Sequence, residues 1–176
     1  MSPVLLEKPA DHIALLRMNR PEAMNALNTA TRETLCEHFE ALTFDDDVRC
    51  IVITGNEDVF IAGADLKEIS TKQTADWAFG DARRMWRVIA ACPKPIISAV
   101  NGFALGGGCE LALSTDVIVA GEGAQFGQPE IRVGIIPGGG GTQRLVRAIG
   151  KYRAMKLLLT GEFVAAQDAL EMGFVS

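Results

Sequence analysis

Apolar and polar positions change period several times along these 176 residues. Residues 4–7 and 13–18 are short runs rich in Val, Leu and Ile on either side of Pro9-Ala10-Asp11, a pattern that predicts two strands joined as a hairpin. Over residues 29–42 the period lengthens. Leu35, Phe39 and Leu42 share a stripe and Glu33, Glu37 and Glu40 fall largely off it, which predicts an amphipathic helix with His38 at its boundary. Short apolar runs at 50–54, 96–100 and 117–120 predict strands, and Phe126 lies on a further one. Glycine follows these runs at Gly55, Gly102 and Gly121, although the intervening sequences are too dissimilar to form a repeat. Residues 56–63 read as a loop. Residues 74–91 read as a long helix stopped by Pro93 and Pro95, and residues 106–114 begin another. From Gly138–Gly141 helical segments continue to about Glu171. Strands alternating with helices predict an α/β fold with parallel pairing, and the lack of a linker-like segment predicts one domain over residues 1–176.

Composition narrows the chemistry. This length buries a core without disulfides or metals, and 48% of the residues are hydrophobic. Only 6% are aromatic and the net charge is −5, so a nucleic-acid partner is not expected. Cys36, Cys50, Cys92 and Cys109 form no CxxC pair, and His12 and His38 complete no ligand pattern with them; no metal site is expected. Scattered thiols on apolar segments fit reduced core cysteines and a cytoplasmic location. The first eleven residues lack the basic and apolar regions of a signal peptide, and no uncharged apolar run approaches membrane-spanning length.

Two glycine-rich turns precede helices, at Gly106–Gly108 and Gly138–Gly141. Neither has the Lys-Ser/Thr of a P-loop or the spaced glycines of a dinucleotide site. A bare glycine turn can still aim backbone N–H groups at a developing oxyanion. Glu110 follows the first turn inside an apolar stretch, and Gly127-Gln128-Pro129-Glu130 offers a second carboxylate in a comparable setting. Each alone fits a helix-end or loop carboxylate; together they suggest an acid/base pair. Paired carboxylates also suit glycoside hydrolysis, but the chain is poor in the aromatic platforms of sugar clefts. In Ala62-Gly63-Ala64-Asp65-Leu66-Lys67, small residues permit close ligand approach and Asp65 is placed to cap the following helix.

These motifs resemble the enoyl-CoA hydratase, or crotonase, family. The resemblance runs from Asn19-Arg20-Pro21 and Asn25-Ala26-Leu27 to the end of the chain. Its most specific parts are Ala62-Gly63-Ala64-Asp65-Leu66-Lys67-Glu68, the stretch from Ala99 through Asn101-Gly102 to Leu111, Phe126-Gly127-Gln128-Pro129-Glu130, and Pro137 through Leu145. It implies a crotonase-like spiral of ββα turns, usually a trimer or a dimer of trimers, acting on an acyl-CoA thioester. It also implies syn addition of water to a trans-2-enoyl-CoA with no metal and no cofactor, coenzyme A being part of the substrate. By position, Ala64 and Gly107 would supply the two oxyanion-hole N–H groups, and Glu110 and Glu130 the acid/base pair. Ala62, Ala64, Asp65, Leu66, Lys67 and Gly107 would line the substrate site, with Ala26 and Leu27 near the adenine end. Two departures stand out: Glu22 occupies a position that is basic in many relatives, and the usual C-terminal helical region is absent after Ser176. Two other readings compete. One is an isomerase of the same fold using a single glutamate. The other is a truncated, non-catalytic CoA- or RNA-binding module, for which Arg83-Arg84-Met85-Trp86-Arg87 is the nearest basic cluster.

Overall fold

A computed structural model describes residues 1–71 and 82–176. Strand β1 (Val4–Ala10) pairs antiparallel with β2 (Ile13–Met18). The turn falls at Asp11-His12, with His12 at φ 65°, two residues later than the Pro9 signal suggests. Pro9 has no N–H to donate and lies in the stretch where the pairing slips, on an edge strand that tolerates it. Helix α1 (Thr29–Thr43) matches its expected span and buries Leu35, Cys36, Phe39 and Leu42. Its N-cap is Asn28, whose Oδ1 accepts from the Thr31 N–H at 2.9 Å.

The next three strand pairs set the architecture. β3 (Cys50–Thr54) is followed by β4 (Val59–Ile61), and then by helices α2 (Leu66–Ile69) and α3 (Ala82–Ala91). β5 (Ile96–Val100) is followed by β6 (Phe103–Leu105) and α4 (Gly107–Ala112). β7 (Val117–Ala120) is followed by β8 (Gln125–Gly127) and a 3₁₀ turn, Pro129–Val133. The first strand of each pair joins a five-stranded sheet ordered β1-β2-β3-β5-β7, parallel except at β1. The second joins a four-stranded sheet β4-β6-β8-β9, closed by antiparallel β9 (Phe163–Ala165). The chain therefore climbs as a spiral of ββα turns. Helices α5 (Gly141–Ile149), α6 (Lys151–Thr160) and α7 (Ala166–Met172) complete it.

The glycines after the long strands are the corners where the chain passes from one sheet to the other. A Cβ on Gly102 would lie 1.7 Å from the Asp58 carbonyl oxygen of the turn below, and its φ of +57° itself favours glycine. Three expectations need correction. The loop at 56–63 contains β4, all three residues of which are buried. Between the strand at 96–100 and the helix from 106, where no strand was expected, lies β6. The helical run to Glu171 is broken by β9. Of the helix expected at 74–91, only Ala82–Ala91 lies within the described residues. Ala14, Leu16, Ile51, Ile53, Phe60 and Phe126 are among the side chains that fill the core.

Candidate active site

Residue 110 is the fourth of α4, and the depth of that helix decides its surroundings. Glu110 is only 3% exposed. Its Oε1 accepts two backbone hydrogen bonds, from the Gly139 N–H at 2.7 Å and the Gly141 N–H at 2.8 Å. The second glycine turn and the N-terminus of α5 thus hold this carboxylate through N–H groups that a helix start leaves unpaired. Burial pushes the Glu110 pKa above the ordinary carboxylate range; the N–H groups of Gly141, Gly139 and Gly140 and the charge of Arg144 pull against it.

Glu130 stands in the 3₁₀ turn after β8 and is half-buried. A Cβ on Gly106 would lie 3.1 Å from Glu130 Oε1, so this carboxyl lies against the turn that opens α4. Its Oε2 is buried without a hydrogen-bond partner among the described residues. Burial raises its pKa to about 7, its own backbone N–H opposes the shift, and the Glu110 charge adds to it. Two acids in one region are thereby pushed toward neutrality, the condition for proton transfer near pH 7.

The two N–H groups expected to face an oxyanion converge at the same place. Leu27 and Ala64 form an isolated parallel bridge. The Leu27 N–H donates to Gly63 O at 2.8 Å, and the Asp65 N–H donates to Leu27 O at 3.3 Å. That leaves the Ala64 N–H pointing away from the bridge, since successive N–H groups of an extended strand alternate in direction. Gly107 is the first residue of α4, where an N–H has no helical acceptor. Neither N–H has an acceptor among the described residues. A Cβ placed on Gly107 would lie 3.6 Å from Ala64 N and 3.4 Å from Leu27 Cδ1.

The other expected lining residues divide. Ala26, Ala62 and Ala64 are half-buried, Leu27 is buried beside Gly107, and Leu66 and Lys67 are exposed at the start of α2. Asp65 caps α2 as its sequence context suggests: Oδ1 accepts from the Lys67 N–H at 3.2 Å and the Glu68 N–H at 3.5 Å. Its Oδ2 pairs with Arg20. Sequence reasoning did not foresee the amides of Gly139 and Gly141 as ligands of Glu110; their only signal was a glycine run before a helix. It did not foresee Arg20, Arg32 or Glu68 either.

The sequence pattern of the enoyl-CoA hydratase/isomerase family matches residues 8–176. The chain belongs to that family. Relatives within it include the 2,3-dehydroadipyl-CoA hydratase of Escherichia coli K12, 49% identical over 172 residues, which cover 98% of this chain and 68% of the relative. A probable mitochondrial enoyl-CoA hydratase of Dictyostelium discoideum is also 49% identical, over 93% of this chain and 59% of its own length. Among solved structures, the enoyl-CoA hydratase of Bacillus anthracis superposes with a TM-score of 0.93 at 37% identity, covering 98% of this chain and 68% of that one. The chain thus spans between about three-fifths and two-thirds of the length of these family members. No helix among the described residues is long and apolar enough to cross a membrane.

Proposed function

We propose that this protein is an enoyl-CoA hydratase that adds water across the double bond of a trans-2-enoyl-CoA, giving a 3-hydroxyacyl-CoA. The observation that carries the reading is that Glu130 and the N–H groups of Ala64 and Gly107 lie about the opening of α4, with Glu110 on the same helix and near enough for its charge to act on Glu130. The thioester carbonyl oxygen accepts from the two N–H groups, which stabilise the enolate as it forms. Glu110, ionised and fixed by Gly139 and Gly141, takes a proton from water as the water oxygen bonds to C3. Glu130, protonated, delivers its proton to C2, so that one H and one OH are added. Proton exchange through solvent then returns both carboxyls to their starting states. The addition balances without a metal or redox cofactor, and coenzyme A enters as part of the substrate. Ala62, Asp65, Leu66 and Lys67 belong to the segment proposed to line the CoA site, with Ala26 and Leu27 next to it; the carboxylate oxygens, N–H and carbonyl of Asp65 are all engaged within the chain, so it serves there by shaping the segment.

A homotrimeric or hexameric assembly belongs to the same reading. It is supported by exposed apolar side chains at Val133, Ile136, Leu159 and Leu170, which need a covering surface. A cytoplasmic setting is supported by four cysteines, none of them in a disulfide.

The assay follows loss of enoyl-thioester absorbance together with appearance of the hydroxyacyl product. Glu110→Gln and Glu130→Gln are each expected to lower kcat by about 10²–10⁴-fold, the usual contribution of one general acid or base. Near-normal rates in both variants would sink the assignment, and a shifted double bond without hydroxyacyl product would indicate an isomerase. The pH dependence has a definite sign. Glu130 must carry its proton, so kcat/KM falls as pH rises through about 7, and the Glu130→Gln variant loses that alkaline limb.

A further inference from the structure

Two arginines outside the acid/base pair make the same kind of bridge between the segments that meet at Ala64. Arg20 Nη1 donates to Ala26 O at 2.6 Å, and its Nη2 donates to Asp65 Oδ2 at 3.2 Å. Arg32 Nη1 donates to Leu27 O at 2.6 Å, and its Nη2 donates to Glu68 Oε1 at 2.9 Å. In both cases one guanidinium joins a carbonyl of the 26–27 segment to a carboxylate of the 65–68 segment. Those segments are the two halves of the Leu27–Ala64 bridge. The side chains of Arg20, Arg32, Asp65 and Glu68 are 18%, 7%, 15% and 20% exposed, so solvent screens these pairs little.

Both carboxylates are anchored a second time. Asp65 caps α2, and Glu68 accepts from the backbone N–H and the hydroxyl of Thr29, the first residue of α1. The 26–27 segment is held from beneath as well. Asn25, fully buried, donates to Val59 O and Phe60 O at 3.2 Å each and accepts from the Arg20 N–H at 2.9 Å. Ala64 itself offers only a methyl group to packing. The direction of its N–H is therefore set by the bridge, and the two guanidinium forks hold the spacing of the bridge.

We propose that Arg20 and Arg32 are positioning residues whose guanidinium forks fix the Ala64 N–H for carbonyl polarisation. The inference rests on the oxyanion role given to Ala64 in the hydratase reading. A buried ion pair is weak evidence of stability, since apolar side chains of similar volume often stabilise as well or better. The geometry here asks for something an apolar replacement or a lysine cannot supply: one planar group reaching two acceptors in fixed directions, twice. A donor displaced by a fraction of an ångström loses much of its effect on the transition state.

The test uses Arg20→Lys, Arg32→Lys and Asp65→Asn in the purified protein; asparagine keeps the cap on α2 but loses the charge that faces Arg20. Arg17→Lys, at the half-exposed pair with Glu7, is the control. The readouts are kcat, KM, the melting temperature and the red shift in absorbance of bound cinnamoyl-CoA, a conjugated thioester whose spectrum reports polarisation of its carbonyl. Arg20→Lys and Arg32→Lys are expected to lower kcat by about 10- to 100-fold, the scale of a misplaced contact, with KM changed by less than about threefold. The red shift should shrink in both, and by less in Asp65→Asn, while Arg17→Lys keeps it in full. A folded Arg32→Lys and Arg20→Lys with the full red shift and wild-type kcat would overturn the proposal. So would a red shift that falls only in proportion to the unfolded fraction, or its absence in the unaltered protein. Failure of the hydratase reading looks different: the unaltered protein would show the red shift and hydrate nothing, and the variants would still report on the struts.

Discussion

The turns at Gly106–Gly108 and Gly138–Gly141 have nearly the same composition and each runs into a helix, yet they put their N–H groups to opposite uses. The first leaves the Gly107 N–H without an acceptor beside that of Ala64. The second spends the N–H groups of Gly139 and Gly141 on Glu110 of the same chain. Both are glycine turns before a helix, a setting that suits an anion; the second holds the Glu110 carboxylate, and the first is the one proposed for the thioester oxygen. Whether the anion is a side chain or a ligand is decided by tertiary structure, here by a carboxylate carried into the second turn on the helix that the first turn starts. Glu110 therefore couples the two: its helix begins at one cradle and its charge rests in the other.

The two turns are told apart most sharply at Gly107. Gly107→Pro removes the N–H but little else, since proline is tolerated at the first position of a helix and its φ suits that site. A Cβ there meets Leu27 Cδ1 at 3.4 Å, an ordinary contact. The expected result is a fall in kcat of about 10²–10³-fold, the cost of one oxyanion donor, with the circular dichroism spectrum retained. A folded variant with unchanged kcat would mean that the first turn is merely a helix start.

The difference between the turns also marks what could be read from the sequence. The stripe of Leu35, Phe39 and Leu42 is local and repeats at helical spacing, so α1 was legible to within a residue. Val59-Phe60-Ile61 has no alternation to display because all three residues are buried, and its partner strand begins at Phe103. Nothing local distinguishes such a run from an apolar loop. The same holds for Phe163-Val164-Ala165, read as helix from its neighbours and paired instead with β8. At the site, the two carboxylates and the glycines were legible as residue types in an unusual context, and the family resemblance gave them order. Their partners were not. Gly139 is 29 positions from Glu110 and Arg20 is 45 from Asp65, and no periodicity links residues that meet only after the spiral closes.

The second turn is tested at Gly139. A Cβ there would lie 2.2 Å from Trp86 Cζ2 and 2.7 Å from Glu110 Oε2, so Gly139→Ala must displace one or both. Overpacking of this kind costs about 1–3 kcal/mol, measurable as a lower denaturant midpoint. The functional effect has a sign as well. The Gly139 N–H is one of the groups holding the Glu110 pKa down against burial; weakening it lets that pKa rise. In the proposed mechanism Glu110 is ionised to take a proton from water, so the acid limb of kcat/KM should move to higher pH. An acid limb that stays in place despite lost stability would detach the second turn from catalysis.

The smallest effect is expected one residue earlier, and it gives the comparison its finest resolution. Gly138 is exposed, its φ lies outside the left-handed region, and a Cβ on it would meet nothing within 4 Å. If the glycines of the second turn serve only as a flexible run, Gly138→Ala and Gly139→Ala should perturb turnover alike. If individual N–H groups and the contact with Trp86 matter, the two variants should diverge in sign. Gly138→Ala should then stabilise the protein by about 0.4–1 kcal/mol, by reducing the freedom of the unfolded chain, and leave kcat and its pH profile unchanged. Paired denaturant titrations and pH–rate profiles of the two variants separate these outcomes, because only a residue-specific cradle predicts a gain at position 138 beside a loss at position 139.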